Sequence, residues 1–219
     1  MLETVLAGTA LGVVLLAAWY SCFLHFNRRR GRAVLRWLEQ AVAPYGALAG
    51  VAWTGASSFE AQLVLHSGEF HQPSVAVRLA PRQAPLLWAL WGWRRRKETL
   101  TFHANLSCPP SESLEISRYR WDGAARWSGS RHRPAKANTE PVATFYLSTQ
   151  PTWKPLVIER MGNVLSITEF SFLAVSFRQQ RPHFSVTFSL SEALRRCGGE
   201  SAIFDNVREL AAGSHTSRL

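Results

Sequence analysis

The residues of this chain that could carry chemistry are few and widely spaced. His66, Glu69 and His71 surround a predicted turn and are possible metal ligands, but their spacing matches no strong metal-binding motif. His103 and Cys108, at the end of a strand-like segment, share this weakness. Because such residues in turns are usually solvated, the pattern favours a structural role and predicts no metal site.

Motifs for nucleophilic catalysis and nucleotide binding are also missing. The hydroxyl-rich segment Thr54 to Phe59 lacks the GxSxG elbow, and the chain contains neither a Walker loop nor GxGxxG. Its cysteines, Cys22, Cys108 and Cys197, lie far apart without a CxxC pair, which argues against a disulfide framework or structural zinc. The sequence therefore predicts no catalytic residue and no cofactor, and gives no support for an enzyme.

The composition indicates a folded, strongly basic protein. Hydrophobic residues make up 47% of the 219 residues and charged residues only 18%, unlike a disordered chain. The net charge of +10 predicts an anionic partner. The 22 arginines against 3 lysines suggest a bacterium with a GC-rich genome.

The segment Thr4 to Phe26 has the properties of a membrane-spanning helix. It contains no Asp, Glu, Lys or Arg, and its 23 residues would reach about 34 Å as a helix, enough to cross a bilayer. Glu3 precedes it and the basic flank follows it, the reverse of a signal peptide. Since basic flanks stay in the cytoplasm, we predict a single-pass protein of the bacterial inner membrane with its amino terminus outside.

Gly8 and Gly12 form a GxxxG pair within this segment. Such pairs let two helix backbones approach closely, so one hypothesis is a contact with another copy or with a partner subunit. The alternative is chance, because glycine is common in membrane helices.

The remaining chain predicts an α+β fold behind the anchor. We expect an anchor with a basic flank at 1–30, a juxtamembrane amphipathic helix at 31–46, a cytoplasmic domain at 47–213 and a tail at 214–219. Alternating apolar residues predict a mainly antiparallel sheet of about 6–7 strands with helices on one face. Further helices are predicted at 153–165 and 201–213, and a mobile basic loop at 123–141.

The stretch LLWALWGWRRRK, Leu86 to Lys97, combines three tryptophans with four consecutive cations. It is too short to cross a membrane. Either it is a core helix covered on both sides, or one side packs on the sheet while Trp88 and Trp91 enter the membrane interface or a partner's groove. The predicted contact residues are Arg28, Arg29, Arg30, Arg32, Trp88, Trp91, Trp93, Arg94, Arg95, Arg96 and Lys97.

Two functional hypotheses follow from these features. The first is a non-catalytic interaction or accessory subunit, held at the membrane surface by anionic lipids and by other membrane proteins or a second copy. The second is a membrane-tethered enzyme acting on lipids or envelope precursors. Nucleic acid is a weaker candidate partner, because the tryptophans precede the arginines instead of alternating with them.

Overall fold

The protein is described here by a computed structural model that covers residues 1–66, 68–110, 113–117, 135–136, 146–149 and 172–195, together with residues 204, 205, 207, 208 and 211. A long N-terminal helix is followed by an antiparallel sheet with helices. The predicted α+β fold is therefore confirmed. The helix predicted at 153–165 lies outside the described residues, as does the predicted loop at 123–141 except for residues 135–136.

Helix α1, Leu2–Val42, contains both the apolar segment and the amphipathic segment in 41 residues. Its first part is long and apolar enough to span a membrane, and none of the most apolar window is buried by the rest of the protein. Its last part packs on the domain through a buried stripe at helical spacing, which consists of Val34, Trp37, Leu38, Ala41 and Val42. The two segments join without interruption because the residues between them include no proline and only one glycine, Gly31.

Nine described strands form one antiparallel sheet in the order β1-β2-β3-β4-β9-β8-β5-β7-β6. Their bounds are β1 Gly46–Trp53, β2 Ser58–Leu65, β3 Phe70–Arg78, β4 Thr99–Leu106, β5 Leu114–Ser117, β6 Ala135–Lys136, β7 Tyr146–Thr149, β8 Phe172–Phe177 and β9 Phe184–Ser189. Helix α2, Pro85–Trp93, lies between β3 and β4, and helix α3, Leu190–Arg195, follows β9. The sequence pattern did not reveal β1 and β6: β1 is GALAGVAW, without large alternating side chains, and β6 has two residues.

One face of the sheet carries the hydrophobic core. Because side chains alternate along a strand, register pairing aligns apolar rows across β2, β3, β4, β9 and β8. One row contains Phe59, Val77, Leu100, Phe188 and Phe172, and the next contains Ala61, Val75, Phe102, Val186 and Val175. These side chains form one cluster with the buried stripe of α1, with Leu190 and Ala193 of α3, and with Phe204 and Val207.

The strands place one end of the sheet beside the middle of α1. Trp53, at the end of β1, packs against Gly31 so closely that any side chain at Gly31 would collide with its ring. Four residues paired across the neighbouring strands lie at this same end of the sheet, namely Ser58, Arg78, Thr99 and Ser189. We call this the near end of the sheet, since it lies nearest the apolar part of α1. The opposite end, with Leu65, Phe70 and Leu106, is the far end.

Candidate functional site

A buried amide joins α1 to the near end of the sheet. The Asn27 side chain is fully buried, and its Nδ2 donates to the carbonyl oxygen of Ala80 at 3.2 Å and to Oε1 of Gln83 at 2.9 Å. Two turns earlier on α1, Trp19 Nε1 donates to the carbonyl oxygen of Arg82 at 3.0 Å. The segment that leads into α2 is thus attached to α1 at two levels.

Glu98 holds the other end of the segment that connects β3 to β4 and contains α2. Its carboxylate forms ion pairs with Arg30 at 2.7 Å and with Arg82 at 3.0 Å, and it accepts a hydrogen bond from the backbone N–H of Ala80 at 3.2 Å. Residues 80–82 and Glu98 are therefore held together and against α1. Helix α2 is the main part of the loop that leaves the sheet and returns to it between these points.

Helix α2 is apolar but has no buried residue. Leu86 is 86% exposed and Trp93 is 84% exposed, while Leu87, Trp88 and Leu90 are also exposed. Its aromatic contacts are with α1: the ring centroid of Trp88 lies 6.2 Å from that of Trp19 and 6.3 Å from that of Phe23. Trp19 and Phe23 are themselves in ring contact at 4.5 Å.

This arrangement differs from the first structural hypothesis for the stretch Leu86 to Lys97, a core helix covered on both sides. A core helix would be buried, and α2 is not. In the second hypothesis one side of the helix packs on the sheet, whereas Trp88 packs on the apolar part of α1. The entry of Trp88 and Trp91 into the membrane interface or a partner's groove stays a prediction. The physical reason is that Asn27, Trp19 and Glu98 hold the segment between β3 and β4 along α1 and away from the core. The apolar side chains of α2 are therefore not covered by the described residues.

The predicted basic residues divide into two groups. Arg28 stacks over the Trp53 ring at 3.9 Å, Arg30 binds Glu98, and Lys97 binds Glu192 at 3.2 Å. Arg29, Arg32, Arg94, Arg95 and Arg96 are exposed, and Arg96 lies 5.9 Å from the ring centroid of the half-buried Trp91. We call α2 together with Arg29, Arg32, Arg94 and Arg95 the apolar-basic surface.

The predicted helix-contact residues lie on an open part of α1. Gly8 is exposed and Gly12 is half-buried, and nothing lies within 4 Å of a Cβ placed on either residue. This geometry leaves room for a second helix at this face.

A groove lies on the sheet face opposite the core. Its volume is about 790 Å³, within the usual range for sites that bind small molecules. Two rows of small and polar side chains form its floor, namely Glu60, Ala76, Thr101, Thr187 and Ala174, then Ser74, His103, Ser185, Ser176 and Glu115. Arg78, Arg96 and Thr99 line its near end, and Arg181 also lines it. We call this the polar groove.

Burial shifts the titration of two residues in the polar groove. It lowers the pKa of His103 from its ordinary value of 6.5, a shift that Glu60 opposes and Arg178 reinforces. Burial also raises the pKa of Glu115, which Arg178 partly offsets from 3.9 Å. His103 is therefore neutral at pH 7, and its buried Nδ1 has no hydrogen-bond partner among the described residues.

The residues first considered as metal ligands have other partners. His66 Nδ1 lies 2.9 Å from the carbonyl oxygen of Tyr45, His71 Nε2 lies 3.3 Å from Ser107 Oγ, and Glu69 pairs with Arg208 at 3.7 Å. Within the described ranges, no three His, Cys, Asp or Glu residues are grouped so that they could hold a metal ion.

No protein-family model and no curated protein matches this chain.

The residues that organise this region were not singled out from the sequence. Asn27 follows the apolar segment directly, and Glu98 is the acidic residue that ends a run of four cations, so both carried a local signal. The polar groove carried none, because its floor brings together residues as distant as Ser74 and Ser185 through strand register.

Proposed function

We propose that this protein is a single-pass protein of a bacterial inner membrane, with its amino terminus outside and its α+β domain in the cytoplasm. The long apolar part of α1 and the basic residues that follow it support this orientation. The domain acts as a non-catalytic interaction or accessory subunit at the membrane surface.

The observation that carries the proposal is the position of α2. Trp88 packs on Trp19, which precedes Phe26 by seven residues, or about 10 Å along a helix. If α1 spans the bilayer up to its basic flank, α2 lies at the depth of the lipid and its exposed leucines and tryptophans contact acyl chains. A helix with no polar face until Arg94 fits that environment better than water.

The exposed cations would then meet the headgroups. Arg94 and Arg95 directly follow α2, and Arg29 and Arg32 are exposed on α1. Anionic lipid attracts each nearby cation by about 1 kcal/mol, far less than a membrane-spanning helix contributes. These residues therefore orient the domain, so that α2 and the near end of the sheet face a partner in the membrane.

Purification of the full-length chain in mild detergent tests this function. We expect the wild type to retain bound lipid or a second protein, identified by mass spectrometry. The double variant Leu86→Ser, Trp93→Ser should lose that material, because it removes the two most exposed side chains of α2. Val64→Ser is the matched control, since Val64 is an exposed apolar residue towards the far end of β2. A wild type recovered only as a monomer without lipid or protein would refute the proposal.

The polar groove contains the residues that bear on the second candidate, a membrane-tethered enzyme. His103 and Glu115 both line the groove and both have shifted pKa values. However, the register places them three strands apart, or about 14 Å. They cannot exchange a proton or act on one atom at that separation, so their geometry supports binding better than acid-base catalysis.

A further inference from the structure

The polar groove has the shape of a binding site because its floor consists of small side chains. Alanine, serine and threonine occupy most register positions of the two rows. Long side chains, such as Arg78, Arg96, Arg178 and Arg181, line it as well. Hydroxyl groups on the floor can donate and accept hydrogen bonds, as a polar ligand would require.

The charges of the groove favour an anion. Four arginines line it against two glutamates among the described residues. One glutamate, Glu115, pairs with Arg178 towards the far end, whereas Arg78 and Arg96 have no ion-pair partner within the described ranges. Glu60 lies in the next row of the floor, further from the near end than Arg78, and would repel an anion placed beside it. An anion is therefore held best at the near end, beside Arg78 and Arg96.

The near end of the groove adjoins α2. Thr99 pairs with Arg78 across β3 and β4, and Arg96 lies three residues before Thr99 and contacts Trp91 of α2. We propose that the polar groove binds a phosphate ester whose phosphoryl oxygens are held by Arg78 and Arg96. Arginine suits this group because its planar guanidinium presents paired donors to phosphate oxygens.

The phosphate ester has two possible sources, which share this chemistry. A lipid headgroup could enter from the membrane beside α2, and this source rests on the proposed function. A soluble phosphate ester could enter from the cytoplasm and does not depend on where α2 lies.

Titration calorimetry on the full-length chain in phosphatidylcholine nanodiscs distinguishes them, with short-chain phosphatidic acid and glycerol phosphate as probes. Arg78→Gln and Arg96→Gln should each weaken binding about tenfold, because each removes a charge-assisted contact. Arg195→Gln is the matched control, since Arg195 is an exposed arginine of α3 that does not line the groove. Ala76→Phe should block binding by filling the floor without changing the charge.

Tighter binding of phosphatidic acid than of glycerol phosphate, with this pattern of variants, supports the groove and assigns the lipid source. Equal binding of the two probes with the same pattern supports the groove and assigns the soluble source, even if α2 lies outside the lipid. Two results overturn the proposal: neither probe binds, or Arg195→Gln weakens binding as much as Arg96→Gln does. Unchanged thermal midpoints of the variants establish that they are folded.

Discussion

Glu98 joins α1 to the segment that precedes α2. Its side chain is 9% exposed and contacts two arginines and one backbone N–H, from α1 and from the segment before α2. Replacing a buried carboxylate that makes several charge-assisted bonds by an amide is costly, because the arginines keep their charge and lose the negative charge that balances it.

Glu98→Gln should destabilise the protein by about 1–3 kcal/mol, measured as a lower thermal midpoint in detergent. The control is Glu192→Gln, which removes the more exposed ion pair with Lys97. It should cost less than about 1 kcal/mol. Equal losses of stability in the two variants would show that Glu98 does not stabilise the contact between α1 and the domain.

His103 predicts a dependence of stability on pH. Its pKa is lowered in the folded state, mainly by burial, so the unfolded chain binds a proton first as the pH falls below about 6.5. The contribution of His103 to stability is therefore intact at pH 8 and decreases through this range. Glu115 acts in the opposite direction, because its raised pKa lets the folded state take up a proton first.

The variant His103→Gln isolates the first effect. We expect its thermal midpoint to fall less than that of the wild type between about pH 8 and pH 5.5. Parallel curves for the two proteins would mean that His103 is not buried in its neutral form.

At the scale of elements, α1 shows what the sequence pattern predicts and where it stops. Hydropathy and helical period identify the apolar and amphipathic segments in advance. The close approach of this helix to the sheet depends on Gly31, whose missing side chain admits the Trp53 ring. That contact joins residues far apart in sequence, and it could not be inferred from local pattern.

Gly31→Val should lower the free energy of unfolding by about 1–3 kcal/mol, because the new side chain displaces Trp53. Ala33→Val, at an exposed position of the same helix, controls for the introduction of a β-branched side chain on this turn of α1. Thermal unfolding in detergent measures both variants. If Gly31→Val is no less stable than Ala33→Val, the close packing at Gly31 is contradicted.

The apolar part of α1 predicts a helix contact at Gly8 and Gly12. Replacing both with isoleucine should weaken self-association in a membrane dimerisation assay, because the backbones could no longer approach closely. Ala10→Ile is the control, since Ala10 is exposed between the two glycines but lies on another side of the helix. Unchanged association in the double variant would count against this contact.

At the scale of the whole molecule, α1, α2 and the near end of the sheet form one connected region. The fold class was predictable because period-two and helical patterns in the sequence are strong. The sequence also singled out the stretch Leu86 to Lys97 as unusual. The sequence could not give the direction of α2. That direction depends on contacts that Trp19, Asn27 and Glu98 make with residues 53 to 68 positions away along the chain.

The position of α2 in the lipid is the central claim, and spin-label accessibility tests it most directly. Labels would be placed at Leu87→Cys and Val64→Cys in a full-length chain without its native cysteines, reconstituted in nanodiscs. These sites are matched, because Leu87 is 56% exposed and Val64 is 58% exposed. We predict that the label at Leu87 collides more with oxygen than with a water-soluble nickel chelate, and that the label at Val64 does the reverse. Equal, water-like accessibility at both sites would contradict the account.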